Sequence, residues 1–152
     1  MRVRLLVPCD PSPRQLRQLF PVVGMLQPRY HKDRMGTFRH RIELAARPEG
    51  PFISVEALVD TGATYTLVPR PIVAGLGIAP QERDQFVLAD GRRVERDVAS
   101  CLVRLNGRVR STVCVIDDGA PETLFGAVTL EEFGLAVDPV NRRLVKAEKY
   151  LV

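Results

Sequence analysis

From residue 37 onward, apolar and polar residues alternate with a period of two, which is typical of half-buried β-strands. Two alternating runs cover residues 38–44 and 53–59, and turn-forming residues fill positions 47–51 between them. Runs joined in this way are predicted to form a β-hairpin. The second run leads directly into Asp60.

The strand pattern resumes after residue 85 and predicts two more hairpins. Residues 86–88 and 94–105 flank the dipeptide at 90–91, which is Asp-Gly, and a second turn is predicted at the Asn-Gly of positions 106–107. Both dipeptides favour the positive φ angles that tight hairpin turns require.

The remaining segments complete a mainly β domain. Residues 111–116 place apolar side chains on both faces, which indicates a strand inside a sheet. Residues 144–152 alternate again and are predicted to form a last strand. Two short helices are predicted at residues 69–77 and 129–133. The first ends at Gly77, and Gly134 directly follows the second. The expected fold class is therefore all-β with two short helices, arranged as a partly closed barrel.

Residues 1–35 are interpreted as a separate basic extension. Five of the twelve prolines precede residue 30, and no periodic apolar pattern longer than a turn or two survives between them. A short helix at residues 15–20 would end at Pro21. We further hypothesise that translation begins at Met35, so that the folded domain comprises residues 36–152.

The positive charge of the chain is confined to this extension. The net charge is +4, and residues 1–35 hold seven basic side chains against two acidic ones, whereas the remainder holds fifteen against sixteen. A basic extension can bind nucleic acid, but a solvated tail is the more common role. This distribution argues against a nucleic-acid partner for the folded domain.

The cysteines and histidines indicate neither a disulfide framework nor a metal site. Cys9, Cys101 and Cys114 are odd in number and show no CxxC spacing, and the chain has two histidines. We interpret Cys101 and Cys114 as small apolar residues on strands in a reducing, cytoplasmic protein. No apolar stretch has the length of a membrane span or the form of a secretory signal.

One short sequence carries candidate chemistry. An apolar strand delivers the carboxylate of Asp60 into a turn, where Thr61 can hydrogen-bond locally and Gly62 permits close backbone approach. Taken alone, Asp-Thr-Gly is also consistent with an ordinary turn that the aspartate stabilises.

The surrounding sequence resembles a known family. Residues 59–63, Val-Asp-Thr-Gly-Ala, resemble the active-site motif of the retroviral-type aspartic proteases, the retropepsins, and residues 123–126, Thr-Leu-Phe-Gly, resemble their second motif. Residues 130–139 look like the end of bacterial single-domain members. The resemblance covers residues 36–152 in the family's order and implies a homodimeric acid-protease fold.

The resemblance implies a catalytic role for Asp60, Thr61 and Gly62. Acid proteolysis uses two carboxylates that share one proton, because two charges at that distance cannot both ionise. The chain contains one Asp-Thr-Gly, so the second aspartate would come from a second copy in a C2 dimer. The implied activity is peptide-bond hydrolysis by an activated water, without metal or cofactor.

The resemblance also implies where a peptide substrate would bind. Ala63 and Thr64 follow the catalytic turn, although Thr64 and Tyr65 stand where retroviral enzymes often carry acidic residues. The hairpin at residues 88–93 is the candidate for the family's flap, which opens and closes over the substrate, although the same sequence is equally typical of a solvent-facing surface hairpin. The flap residues expected to contact substrate are Leu88, Ala89, Asp90 and Gly91.

The role of the three arginines near the second hairpin is open at this point, and so is the role of the fold as a whole. Arg92, Arg93 and Arg96 could favour acidic substrates, but charged residues at a sheet edge more often keep that edge solvated, and we expect the latter. The same dimeric fold could also serve as a non-catalytic module that binds a peptide or a partner protein.

Overall fold

The computed structural model describes residues 37–149 and residue 151. The predicted extension at residues 1–35, its helix at 15–20 and the alternative start lie outside the described residues. The described elements, in chain order, are β1 (Phe38–Ala45), β2 (Ile53–Val59), β3 (Thr66–Pro69), α1 (Arg70–Gly75), β4 (Glu82–Val87), β5 (Arg93–Leu105), β6 (Arg108–Asp117), β7 (Leu124–Phe125), α2 (Ala127–Phe133), β8 (Leu135–Asp138) and β9 (Arg143–Lys146).

Seven strands form one sheet that closes on itself. Their order is β1-β2-β7-β3-β6-β5-β4, and an additional pairing of β1 with β5 joins the ends of a six-strand ring. The 13-residue strand β5 makes this possible, because its first half pairs with β4 and its second half with both β6 and β1. Strands β8 and β9 form a separate antiparallel pair. The predicted all-β class with two short helices is confirmed.

The predicted hairpins are present. Strands β1 and β2 pair antiparallel in a register that sets Ile42 opposite Val55. Gly91 has a φ of +83° between β4 and β5, and Asn106 and Gly107 have φ values of +50° and +77° between β5 and β6. Both residues of the Asn-Gly dipeptide therefore adopt the left-handed backbone that this sequence favours, whereas in the Asp-Gly dipeptide only the glycine does.

The core lies inside the ring of strands and is capped by the two helices. Its fully buried side chains are contributed by every strand of the ring and by α2, and they include Ile42, Leu44, Val59, Val68, Val103, Cys114, Ile116, Phe125 and Leu130. Cys101 and Cys114 are buried and free, as expected for small apolar strand residues. The hydrogen bond that the Cys101 thiol donates to Cys114 and burial together raise the pKa of Cys101, so this thiol stays protonated.

The helices have the predicted ends. Helix α1 has a proline in its first turn, and Gly77 beyond it has a φ of +69°. Helix α2 begins two residues earlier than predicted and ends at Gly134, whose left-handed φ of +66° suits glycine. In the described part of the chain, neither helix has the length and apolar character needed to cross a bilayer.

Three expectations about strands require correction. The last strand, predicted at residues 144–152, ends at Lys146, because β8 offers only four partner residues. Residues 111–116 lie inside the sheet, but one side of that strand is solvated, with Val113 38% exposed. The short strands β3, β7 and β8 were not predicted, since two to four residues are too few to display alternation.

Candidate active site

Strand β7 fixes the end of β2, from which Asp60 projects. The two strands run parallel, with Leu58 paired to Leu124. Backbone hydrogen bonds connect Leu58 N to Thr123 O at 2.9 Å and Asp60 N to Phe125 O at 3.2 Å. The Asp60 backbone is therefore held from a segment more than 60 residues away in the chain.

The Asp60 side chain is oriented by its own loop. Its Oδ1 accepts a hydrogen bond from Gly62 N at 2.9 Å, and its backbone carbonyl accepts one from Ala63 N at 3.2 Å. A Cβ at position 62 would lie 3.1 Å from that same Oδ1, which explains the glycine. Asp60 is half-buried, whereas Thr61 and Gly62 are exposed.

The loop after Asp60 is fastened to the start of α2. Ala127 N donates to Ala63 O at 2.8 Å, and Val128 N donates to Thr64 O at 3.0 Å. Gly126 lies so close to the Tyr65 backbone that a Cβ there would be 2.4 Å from the Tyr65 carbonyl. The Thr-Leu-Phe-Gly segment thus supports the loop structurally.

A chain of buried threonine hydroxyls lies beneath this junction. Gly126 N donates to Thr66 Oγ1 at 3.2 Å, and Thr66 Oγ1 lies 2.7 Å from Thr129 Oγ1. Thr112 Oγ1 lies 2.8 Å from the same Thr129 oxygen. These polar contacts tie β3, β6 and α2 together directly behind the Asp60 loop.

A cavity of about 210 Å³ lies between the loop and the β4-β5 hairpin. It brings together four of the residues predicted for the site, namely Gly62, Ala63, Thr64 and Leu88. The other predicted site residues are not part of its lining: Asp60, Thr61, Ala89, Asp90 and Gly91.

Eight further residues line the cavity that were not among the predicted site residues. They are Tyr65, Leu67, Phe86, Val87, Val94, Arg96, Val115 and Asp117. They come from several strands and a loop, so no local pattern marks them as neighbours. The tyrosine and phenylalanine rings meet edge to face, with centroids 6.1 Å apart, which connects the loop to the hairpin.

The hairpin tip is a closed turn. Leu88 N donates to Arg92 O at 2.8 Å, and Gly91 N donates to Leu88 O at 2.8 Å. Asp90 accepts from Arg92 N at 3.0 Å and from Arg92 Nε at 2.7 Å. The backbone N–H and the side chain of Arg92 lower the pKa of Asp90, so this carboxylate is ionised while it stabilises the turn.

Arg96 does not behave as the solvated edge charge that its sequence context suggested. Its Nε lies 3.2 Å from Asp117 Oδ1, and both residues line the cavity. The side chains are 31% and 21% exposed, so the pair is partly withdrawn from water.

Among the described residues, no group of His, Cys, Asp and Glu side chains is arranged to hold a metal ion.

Comparisons with known proteins agree with this geometry. The family model described as "gag-polyprotein putative aspartyl protease" matches residues 51–143. The solved structure of the EIAV protease complexed with the inhibitor HBY-793 is similar, with a TM-score of 0.51 and 18% identity over 80% of this chain and 98% of that chain. The solution structure of the Simian Foamy Virus (mac) protease has a TM-score of 0.44 and 17% identity over 62% of this chain and 94% of that chain.

A search of curated proteins finds no significant match. The identity to the EIAV protease is 18%, so this likeness speaks to the fold alone. The family model, however, covers well over half of the 152 residues and includes both the Asp-Thr-Gly loop and the supporting glycine segment. The chain therefore belongs to the gag-polyprotein aspartyl protease family and has the fold of the retropepsin-like aspartic proteases.

Proposed function

We propose that the protein is an aspartic endopeptidase that acts as a C2 homodimer. One observation carries the proposal: the Asp60 carboxylate is held by Gly62 N at 2.9 Å in a loop that borders a hairpin-covered cavity. A positioned carboxylate beside a cleft is the arrangement that activation of a water for hydrolysis requires.

The need for a second copy follows from the chemistry. Two carboxylates must share one proton, and the chain has one Asp-Thr-Gly loop. A two-fold axis beside this loop would bring Asp60 next to Asp60 of the partner subunit. The exposure of Thr61 and Gly62 leaves this part of the loop accessible to such a partner. Thr61 would then hydrogen-bond across the interface.

In the proposed reaction, the ionised carboxylate of the pair removes a proton from water as its oxygen attacks the peptide carbonyl carbon. The protonated carboxyl donates its proton to the carbonyl oxygen and gives a neutral tetrahedral diol. Collapse of the diol breaks the C–N bond, with one proton passing to the leaving nitrogen. The pair titrates as a unit, so its pKa values belong to both Asp60 side chains together.

The substrate would bind as an extended peptide between the loop and the hairpin. Ala63, Thr64 and Leu88 line the cavity and would contact it. Ala89, Asp90 and Gly91 form the hairpin tip, which would close over the peptide and exclude water. Residues 36–152 would carry the activity, and residues 1–35 would be dispensable for it.

The direct test is cleavage of a diverse peptide library, read by mass spectrometry from mildly acidic to neutral pH. Wild type is compared with Asp60→Asn, which removes the charge and preserves the size of the side chain. We expect cleavage by the wild type and none by the variant, with both proteins sedimenting as dimers.

Absence of cleavage by folded wild-type dimers would overturn the catalytic proposal. In that outcome the fold would serve as a dimeric peptide-binding module, and binding of library peptides without cleavage would identify it. Deletion of residues 1–34 provides a second comparison, because loss of function on deletion would assign the role to the basic extension instead.

A further inference from the structure

The cavity beside the Asp60 loop is apolar on most of its wall but contains one ion pair. Leu67, Val94 and Val115 line it from three strands, and Arg96 and Asp117 lie among them. A guanidinium and a carboxylate in a small, mostly apolar cavity are in contact with whatever side chain enters it.

Both charged groups are held in place by the fold. Asp117 Oδ1 lies 3.2 Å from Arg96 Nε and accepts a hydrogen bond from Gly119 N at 3.0 Å. Arg96 Nη1 donates to the Glu95 carbonyl at 2.9 Å. The pair is therefore positioned before any ligand arrives, which lowers the entropic cost of binding one.

The neighbouring charges are committed to other partners. Arg70 donates hydrogen bonds to Asp97 and Asp118, which lie beside the pair. Arg83 pairs across the hairpin with Glu95 at 3.4 Å. Since these groups neutralise one another, the cavity presents one positive and one negative charge with no excess of either sign.

A neutral ion pair discriminates between classes of side chain. An entering carboxylate would be attracted by Arg96 but repelled by Asp117, and it would lose its hydration. An entering ammonium would be attracted by Asp117 but repelled by Arg96, and it would also lose its hydration. An amide or a hydroxyl can donate to the carboxylate and accept from the guanidinium, so it satisfies both groups without burying a net charge.

We propose that Arg96 and Asp117 are specificity-determining residues, and that their cavity selects a substrate side chain with an apolar stem and a neutral end that both donates and accepts hydrogen bonds. Glutamine and tyrosine are two side chains of this class, and the cavity that would receive them measures about 210 Å³. The inference rests on the proposed function, because it assigns a subsite of the same cleft.

The two-fold symmetry of the proposed dimer adds a second expectation. Each subunit would contribute one such cavity, and the two copies would lie on opposite sides of the scissile bond. The preference should therefore occur at two substrate positions, one on each side of the cleaved bond, rather than at one.

The test uses the full chain and peptides that differ at single positions in matched pairs: Gln against Glu, Gln against Lys, and Tyr against Phe. For wild type, kcat/KM should be about three- to tenfold higher for Gln than for Glu or Lys, the range expected for satisfied against unsatisfied hydrogen bonds. The Tyr peptide should likewise exceed the Phe peptide.

Single substitutions should change this preference in opposite directions. Asp117→Asn leaves Arg96 unpaired and should raise the relative rate for Glu, whereas Arg96→Met leaves Asp117 unpaired and should raise it for Lys. Arg83→Met is the matched control, since it removes an arginine from the same hairpin but not from the cavity, and it should leave the preference unchanged.

Peptide binding to Asp60→Asn, measured by fluorescence anisotropy, separates this inference from the proposed catalysis. Selective binding of Gln peptides without cleavage by the wild type would overturn the catalysis and support the cavity assignment. Cleavage with a preference that neither substitution changes would overturn the cavity assignment alone. If no variant binds any of the peptides, the cavity assignment would be overturned as well.

Discussion

Gly126 packs against the backbone of Tyr65 more closely than any side chain would allow. A Cβ at Gly126 would lie 2.4 Å from both the carbonyl carbon and the carbonyl oxygen of Tyr65 and 2.8 Å from Thr66 N. The atoms it would meet are backbone atoms, which cannot rotate away. This contact joins the supporting glycine segment to the loop that carries Asp60.

Gly126→Ala is therefore expected to destabilise the fold. The loop or the start of α2 must shift to admit the methyl group, at a cost of about 2 to 3 kcal/mol in the free energy of unfolding. Urea denaturation followed by circular dichroism measures it. Gly75→Ala is the control, because a Cβ there meets nothing within 4 Å and should leave stability unchanged or slightly higher. Equal effects of the two substitutions would contradict the packing argument.

The buried threonines provide a second matched comparison. Thr129 Oγ1 contacts the hydroxyls of both Thr66 and Thr112, whereas the buried Thr123 Oγ1 has no hydrogen-bond partner among the described residues. Thr129→Val should cost about 1 to 3 kcal/mol, since the buried hydroxyls of Thr66 and Thr112 both lose this contact and Thr66 keeps the hydrogen bond from Gly126 N. Thr123→Val should be neutral or stabilising. Denaturant midpoints of the two variants check this, and a larger loss for Thr123→Val would refute it.

Much of the fold could be predicted because long strands reveal their period. Strands β1, β2 and β5 display alternation over seven or more residues, and the Asp-Gly and Asn-Gly turns between strands have specific dihedral requirements. Strand β3 escaped prediction because its first buried residue is Thr66, whose hydroxyl is satisfied by tertiary contacts that no local pattern reports. The predicted last strand continued past Lys146 because its sequence alternates, although the pairing of β9 with β8 ends at that residue.

Part of the candidate site could likewise be predicted from the sequence, and part could not. The Asp60 loop is a local sequence feature, so it could be recognised directly. The cavity wall depends on the pairing of β6 with β3 and with β5, which brings together residues that are far apart in the sequence. Arg96 was interpreted as a solvated edge charge because its partner, Asp117, is 21 positions away and comes close only through the pairing of β5 with β6.

Stability should fall at acidic pH partly through Glu43. Its two carboxylate oxygens accept from Arg104 Nη2 at 2.8 Å and Arg104 Nε at 2.7 Å, and this hydrogen bonding lowers the pKa of Glu43. A lowered pKa stabilises the folded state above the unfolded value, and this contribution disappears as the pH falls through the folded value.

The expected signature is a gap between wild type and Arg104→Met that is wide near neutral pH and narrows below about pH 4, the ordinary range of a glutamate. Urea denaturation at a series of pH values measures this gap. Arg104 also lies 3.9 Å from the centre of the Phe52 ring, and loss of that contact adds a difference that does not vary with pH. Glu43→Gln controls for the loss of the Phe52 contact, since this variant keeps Arg104. The gap between wild type and Glu43→Gln should narrow below about pH 4 in the same way. A gap that widens on acidification would contradict the assignment.

Subunit mixing tests whether one Asp60 from each copy is required. With Asp60→Asn in ninefold excess and free exchange of subunits, a tenth of the subunits are wild type and about a hundredth of the dimers carry two intact aspartates. Activity for a fixed amount of wild type should then fall about tenfold, in proportion to the wild-type fraction of subunits. Asp60→Asn dimers cross-linked beforehand cannot exchange and should leave the activity unchanged. Undiminished activity after exchange, with exchange verified by mass-labelled subunits, would show that a single Asp60 suffices and that the paired-carboxylate mechanism is wrong.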